Sequence, residues 1–167
     1  RPVSHWMDRT HKIDILIYLF LVLAILGLAD SVYLAASYFT DSPLSCETIR
    51  GCNEVANSPY ATIAGVPIST MGVLYYVIAV AGAFFYLVKR RTVYATLLAL
   101  LTMIGFATSA YFMYAQIALI KAICIYCVAS AVIATLMLIV AAVIRGHDVN
   151  HHEEAEMLAD EKGGGAL

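Results

Sequence analysis

The sequence predicts an all-α integral membrane protein: a bundle of four transmembrane helices with a long extracytoplasmic loop between helices 1 and 2. Three observations lead there. Hydrophobic residues make up 62% and charged residues 13% of the 167-residue chain, whereas soluble domains average about 45–50% and about 25%. Four separate apolar stretches are each long enough to cross about 30 Å of hydrocarbon as a helix. Basic residues fall between and beside these stretches in a way that sets one orientation.

The formal net charge of −2 is small, and the basic residues are scattered without interleaved aromatics, so no nucleic-acid footprint is present. Partners are to be sought among membrane lipid, lipid-soluble molecules and other proteins. One cleavable signal peptide does not account for the hydrophobicity, because no run is a short apolar core followed by a small-residue cleavage site.

The first run, Ile13 to Tyr38, is 26 residues long, roughly 39 Å as a helix, so it tilts or projects beyond the lipid. The second, Pro67 to Val88, opens on a proline suited to a first helical turn and stops at Lys89, Arg90 and Arg91. The third spans Val93 to Ile117 and the fourth Ile123 to Ile144. Gly105 and Ser109 are spaced to let a neighbouring helix approach the third closely.

Arg1, Arg9 and Lys12 precede the first span, Lys89 to Arg91 link the second and third, and Arg145 follows the fourth. The positive-inside rule makes these segments and both termini cytoplasmic. The other side carries the loop from Phe39 to Val66, with Asp41, Glu47 and Glu54 against Arg50, and a short turn at Ala118 to Ala122. The chain thus divides into an N-terminal cytoplasmic segment (1–12), a membrane domain (13–144) and a cytoplasmic polar tail (145–167). His147, His151 and His152 offer metal-ligand residue types in the tail, but they form no spaced ligand pattern on a rigid element. A solvated, partly disordered tail is expected.

All four cysteines fall at or near the extracytoplasmic face: Cys46 and Cys52 in the long loop, Cys124 and Cys127 at the start of the fourth helix. Disulfides persist on that side, and dithiol oxidation is useful there. Two structural disulfides are one reading. It suits Cys46 and Cys52, but a bridge within Cys124-Ile125-Tyr126-Cys127 closes a tiny loop and removes little unfolded-state entropy. Reactivity explains this pair better. Unpaired N–H groups and the positive dipole end at a helix N-terminus stabilise a thiolate, and Cys127 lies one turn deeper, within reach of a lipid-soluble oxidant. A metal centre built from four cysteines is the competing chemistry. The wide spacing of Cys46 and Cys52, followed by a lone CxxC at a membrane surface, argues against it.

In order and spacing the residues resemble the bacterial and archaeal homologues of vitamin K epoxide reductase. The resemblance runs through Asp30-Ser31-Val32-Tyr33-Leu34, Cys46 and Cys52, Asn57-Ser58-Pro59-Tyr60-Ala61, Gly65-Val66-Pro67, Gly72 and Cys124-Ile125-Tyr126-Cys127. It implies a four-helix bundle around a quinone, ubiquinone or menaquinone, as electron acceptor, with no metal. The loop cysteines would relay electrons to the helix-four pair, supporting disulfide formation; vitamin K quinone or epoxide reduction is the family's other activity. Relatives often carry a fused thioredoxin-like domain. Here a polar tail follows helix four, which implies a separate thioredoxin-like partner.

By the same resemblance Cys52 takes the mixed disulfide with the partner, Cys46 passes electrons to Cys124, and Cys127 lies beside the quinone. Ser58 matches a family serine near the redox centre and can donate to loop backbone or quinone; as a residue type, Ser-Pro also reads as a turn. Asp30 falls about 26 Å along the first helix, near the outer interface, where capping or loop anchoring is favoured over proton transfer. Tyr111, Tyr114 and Gln116, at the outer end of helix three, are placed to line a quinone pocket, although aromatics are ordinary at an interface.

Overall fold

The computed structural model describes residues 3–40, 51–63 and 65–164, with side chains described over 12–40, 51–63 and 65–150 and at Met157. Cys46 lies outside the described residues.

Helix α1 runs from Val3 to Phe39. It begins before the apolar run because residues 4–12 contain neither glycine nor proline, and nothing stops the helix until Thr40, whose hydroxyl donates back to the Ala36 carbonyl at 2.8 Å. A short helix α2 (Cys52–Ala56), a 3-10 turn (Pro59–Ala61) and a small hairpin follow. In the hairpin β1 (Thr62–Ile63) pairs antiparallel with β2 (Val66–Pro67), Thr62 opposite Pro67, and Gly65 takes φ 81° in the turn, where a Cβ would be strained. Pro67 stands just outside helix α3 (Ile68–Lys89), as its cap, and not in the first turn as the sequence suggested.

Helix α4 (Thr92–Tyr114) continues as one wide π-helical turn, Ala115–Ile120, before Lys121 reverses the chain at φ 58°. Helix α5 runs from Ile125 to Gly164. It carries the helix well past Arg145, correcting the expectation of a partly disordered tail. Residues 153–162 are mostly Glu, Ala, Met, Leu and Lys, good helix formers.

Among the described residues four helices are long and apolar enough to cross a membrane: Lys12–Phe39, Ile68–Lys89, Thr92–Ile120 and Ile125–Asn150. They close a ring in which α1 packs on α3 and α5, and α4 packs on the other sides of both. Inside, Ile17, Phe20, Tyr86, Met137 and Ile144 are fully enclosed, and buried alanines such as Ala79, Ala83 and Ala95 let the helices approach closely. Outside, Val22, Leu74, Ile104 and Val132 are each more than half exposed, a surface suited to lipid.

Polar contacts tie the two ends. At the end holding the α3–α4 connection, the Arg90 guanidinium pairs with Asp14 of α1, and the Tyr86 hydroxyl donates to Asp148 of α5 at 3.0 Å. Towards the other end, Tyr76 of α3 wedges between α1 and α5. Its ring occupies the space above Gly27, where a Cβ would stand 2.2 Å from Cε1, and its hydroxyl meets Ser130 Oγ at 3.0 Å.

Candidate active site

The sequence places two cysteines at the start of the fourth span, and the fold refines that placement. Cys124 is not in the first helical turn; it immediately precedes Ile125 and occupies the cap position. Its carbonyl accepts the first helical bond, from Val128 N–H at 3.1 Å. Its sulfur stands where a capping serine or threonine would put an oxygen, accepting the backbone N–H groups of Tyr126 and Cys127. The Cys127 thiol also donates to it. These bonds, the Cys127 side chain foremost, draw the Cys124 thiol down to about 7 against the opposing effects of burial and of the nearby Asp30 charge. Cys124 is 1% exposed. Both helix cysteines are free thiols.

Cys52 is disulfide-bonded and completely buried. It packs in one apolar cluster with Val55, Ala122 and Cys124, with Cys127 and Phe112 against the edge. Gly51 explains how the loop comes so close. A Cβ there would lie 2.5 Å from the Ile123 carbonyl oxygen and 2.7 Å from its nitrogen, so only glycine lets loop backbone rest on the backbone leading into Cys124.

Behind the cysteines a cavity of about 850 Å³ opens between all four spans, and Cys52, Cys124 and Cys127 are all on its wall. Ser31, Tyr75, Gly105 and Ser130 are among its other lining residues. Such a size suits a small-molecule ring system. Gly105 leaves room for the Tyr75 phenol, whose oxygen would lie 2.3 Å from a Cβ at that position; the spacing read as helix packing thus serves a tyrosine. The Tyr75 hydroxyl is buried without a hydrogen-bond partner among the described residues.

The other candidates separate. Gln116 is fully buried, lines none of this cavity, and accepts the Cys124 N–H on Oε1 at 2.8 Å. Ser58 donates to the Val55 carbonyl at 2.8 Å, closing the turn after α2, and is not on the cavity wall. Tyr111 and Tyr114 are more than half exposed on the outer face of α4. Asp30 is half-buried at the cysteine end, with Oδ2 enclosed and lacking a hydrogen-bond partner among the described residues. Tyr33, one turn further along α1, packs its ring at a tilt against Tyr126, centroids 5.1 Å apart, and ties the CxxC turn to α1. Among the described residues no three His, Cys, Asp or Glu side chains converge as a metal-binding group. Sequence reading missed Gly51 and Tyr75, since neither glycine packing nor an orphaned hydroxyl has a signature before the helices are docked.

A model of the vitamin K epoxide reductase family matches residues 18–142. The chain belongs to that family. No curated protein matches it. The match takes in the whole of the second and third membrane-crossing segments, most of the first and fourth, and both helix cysteines. As a vitamin K epoxide reductase homologue, the protein is a membrane oxidoreductase of the general quinone-linked, thiol-dependent kind.

Proposed function

We propose that the protein oxidises the dithiol of a separate thioredoxin-like protein and passes two electrons through Cys46 and Cys52, then Cys124 and Cys127, to ubiquinone or menaquinone, in support of disulfide formation. One observation carries this reading: disulfide-bonded Cys52 is packed against the free Cys124 thiol, and both border the cavity that Cys127 lines. On this reading the cysteine end faces the extracytoplasmic side and the termini the cytoplasm.

The exchanges balance as thiolate displacements. A thiolate of the partner attacks Cys52 in a Cys46–Cys52 bridge, Cys46 leaves as thiolate, and the partner's second thiol releases Cys52. The Cys46 thiolate then attacks Cys124 in a Cys124–Cys127 bridge, Cys127 leaves as thiolate, and Cys52 closes on Cys46. The cap donors that hold negative charge on the Cys124 sulfur make it a good attacking and leaving group. The reduced helix pair re-forms its bridge by giving up two electrons and two protons, which a quinone in the cavity accepts as quinol.

Oxygen-free turnover of the purified protein with a reduced thioredoxin-like donor tests this. Quinol should form at enzymatic rate with ubiquinone or menaquinone, Cys127→Ser should abolish it, and Cys52→Ser should accumulate a Cys46–Cys124 bridge on peptide mapping. Reduced protein that stays reduced beside quinone, or Cys52→Ser with unchanged turnover and no loop-to-helix bridge, would overturn the relay.

A further inference from the structure

In a capping box the first residue's side chain accepts N–H groups of the first turn, and a Glu or Gln three residues on reaches back to accept that residue's own N–H. Helix α5 has the first half in sulfur: Cys124 accepts from Tyr126 and Cys127. It lacks the second half, because the third helical residue is Cys127, whose thiol is turned to the Cys124 sulfur. The missing acceptor comes from another helix. Gln116, on the π turn that ends α4, receives the Cys124 N–H on Oε1 at 2.8 Å. Its backbone carbonyl receives the Ala122 N–H at 3.2 Å. Between these two anchored residues lies Ile123, whose backbone Gly51 touches.

We infer that Gln116 is a positioning residue which completes the cap of α5 from the neighbouring helix, holding Cys124 where its sulfur meets the helix donors and Ile123 where the Cys52 loop docks. The inference rests on the reading of Cys124 as a redox cysteine. Gln116 is not itself among the residues lining the cavity; it acts through the 122–124 backbone. The wide turn has a role here. A π-helical turn places an extra residue in the last winding of α4, and the Gln116 side chain and carbonyl both face the reversing chain. Groups bearing on the Cys124 thiolate from the packed elements are Cys127 and Tyr126 of α5 and Asp30 of α1. None of them is altered by a change at Gln116.

The test compares Gln116→Leu, close in volume but without an acceptor, with Gln116→Glu, which keeps one. Cys124 alkylation by iodoacetamide is followed against pH by mass spectrometry on the full chain in detergent, alongside hydrogen exchange of the Cys124 amide and the KM for a short-chain quinone. In Gln116→Leu the Cys124 amide should lose protection. The alkylation midpoint should rise from about 7 towards the ordinary thiol range, and the first unit of that rise lowers thiolate at pH 7 about fivefold. The quinone KM should stay unchanged while transfer from the loop pair slows. Gln116→Glu should keep the amide protected. A folded Gln116→Leu protein with wild-type Cys124 profile and protection would overturn the inference. If Gln116→Leu does not fold, Gln116→Glu decides the matter, and loss of Cys124 amide protection there would overturn it equally. Wild-type protein that forms no quinol would sink the proposed relay but leave these measurements standing.

Discussion

At the scale of single residues, a sulfur used as a helix cap makes a testable electrostatic statement. Because the Cys124 thiol is drawn down to about 7, its thiolate is present above that pH and lost below it. Alkylation should climb from about pH 6 to 8 and level off, where an ordinary cysteine, with a pKa of about 8.5, would still be rising. Cys127→Ala removes the leading cause, so the midpoint should move up; an unmoved profile would show that the backbone donors alone set it. Tyr75 makes the opposite kind of forecast. A buried hydroxyl without a partner costs about 1–3 kcal/mol, so Tyr75→Phe should leave the ligand-free protein at least as stable, with a gain of about 1 kcal/mol in unfolding experiments. A fall in stability would mean that the hydroxyl has a partner. That Cys52, Cys124 and Cys127 gather at one end was legible from their spacing and setting in the sequence. Gln116 was legible only as a polar residue near the site, since its bond to Cys124 depends on how the chain reverses after Ile120.

At the scale of elements, the contact between loop and helix is the joint on which a relay turns, and it depends on one missing methyl group. Gly51→Ala would thrust a Cβ to within 2.5 Å of the Ile123 oxygen. That Cβ would meet backbone, which no side-chain rotation relieves. The loop should lift away, and donor-dependent turnover should fall by about tenfold or more, since a small misplacement of reacting atoms is enough for such a loss. Oxidation of the pre-reduced Cys124–Cys127 pair by quinone, which needs no loop, should proceed as in wild type. Equal losses in both assays would locate the damage in α5 instead. The four spans were readable from hydropathy because lipid demands long apolar helices. Their ends were not. Helix α1 starts ahead of its apolar stretch and α5 continues beyond its own, because helix propensity carries through polar residues that no lipid requirement selects.

At the scale of the whole molecule, the bundle is asymmetric along its axis. The cysteines, the cavity and the docked short helix occupy one end, while Ile17, Phe20, Tyr86, Met137 and Ile144 fill the other half and the Arg90–Asp14 and Tyr86–Asp148 contacts tie it beyond them. The ring arrangement was not predictable from the order of the spans. It follows from small residues, such as Gly27 and Ala79, deciding which helices close on one another.

That filled half has a bioenergetic consequence. On the proposed relay, thiol hydrogens and electrons would enter at the cysteine end and leave together in a neutral quinol without traversing the packed half, so no net charge would move across the low-dielectric layer. Moving one charge across 100 mV involves about 2.3 kcal/mol, which would alter the rate severalfold or more if any step were electrogenic. Turnover in sealed proteoliposomes should therefore be the same whether a potassium gradient with valinomycin imposes a voltage of either sign or none at all. A rate that follows the imposed voltage would reveal a charge path through the packed half. Without one, the proposed relay would add oxidising equivalents on one side of the bilayer while leaving the membrane's electrical energy untouched.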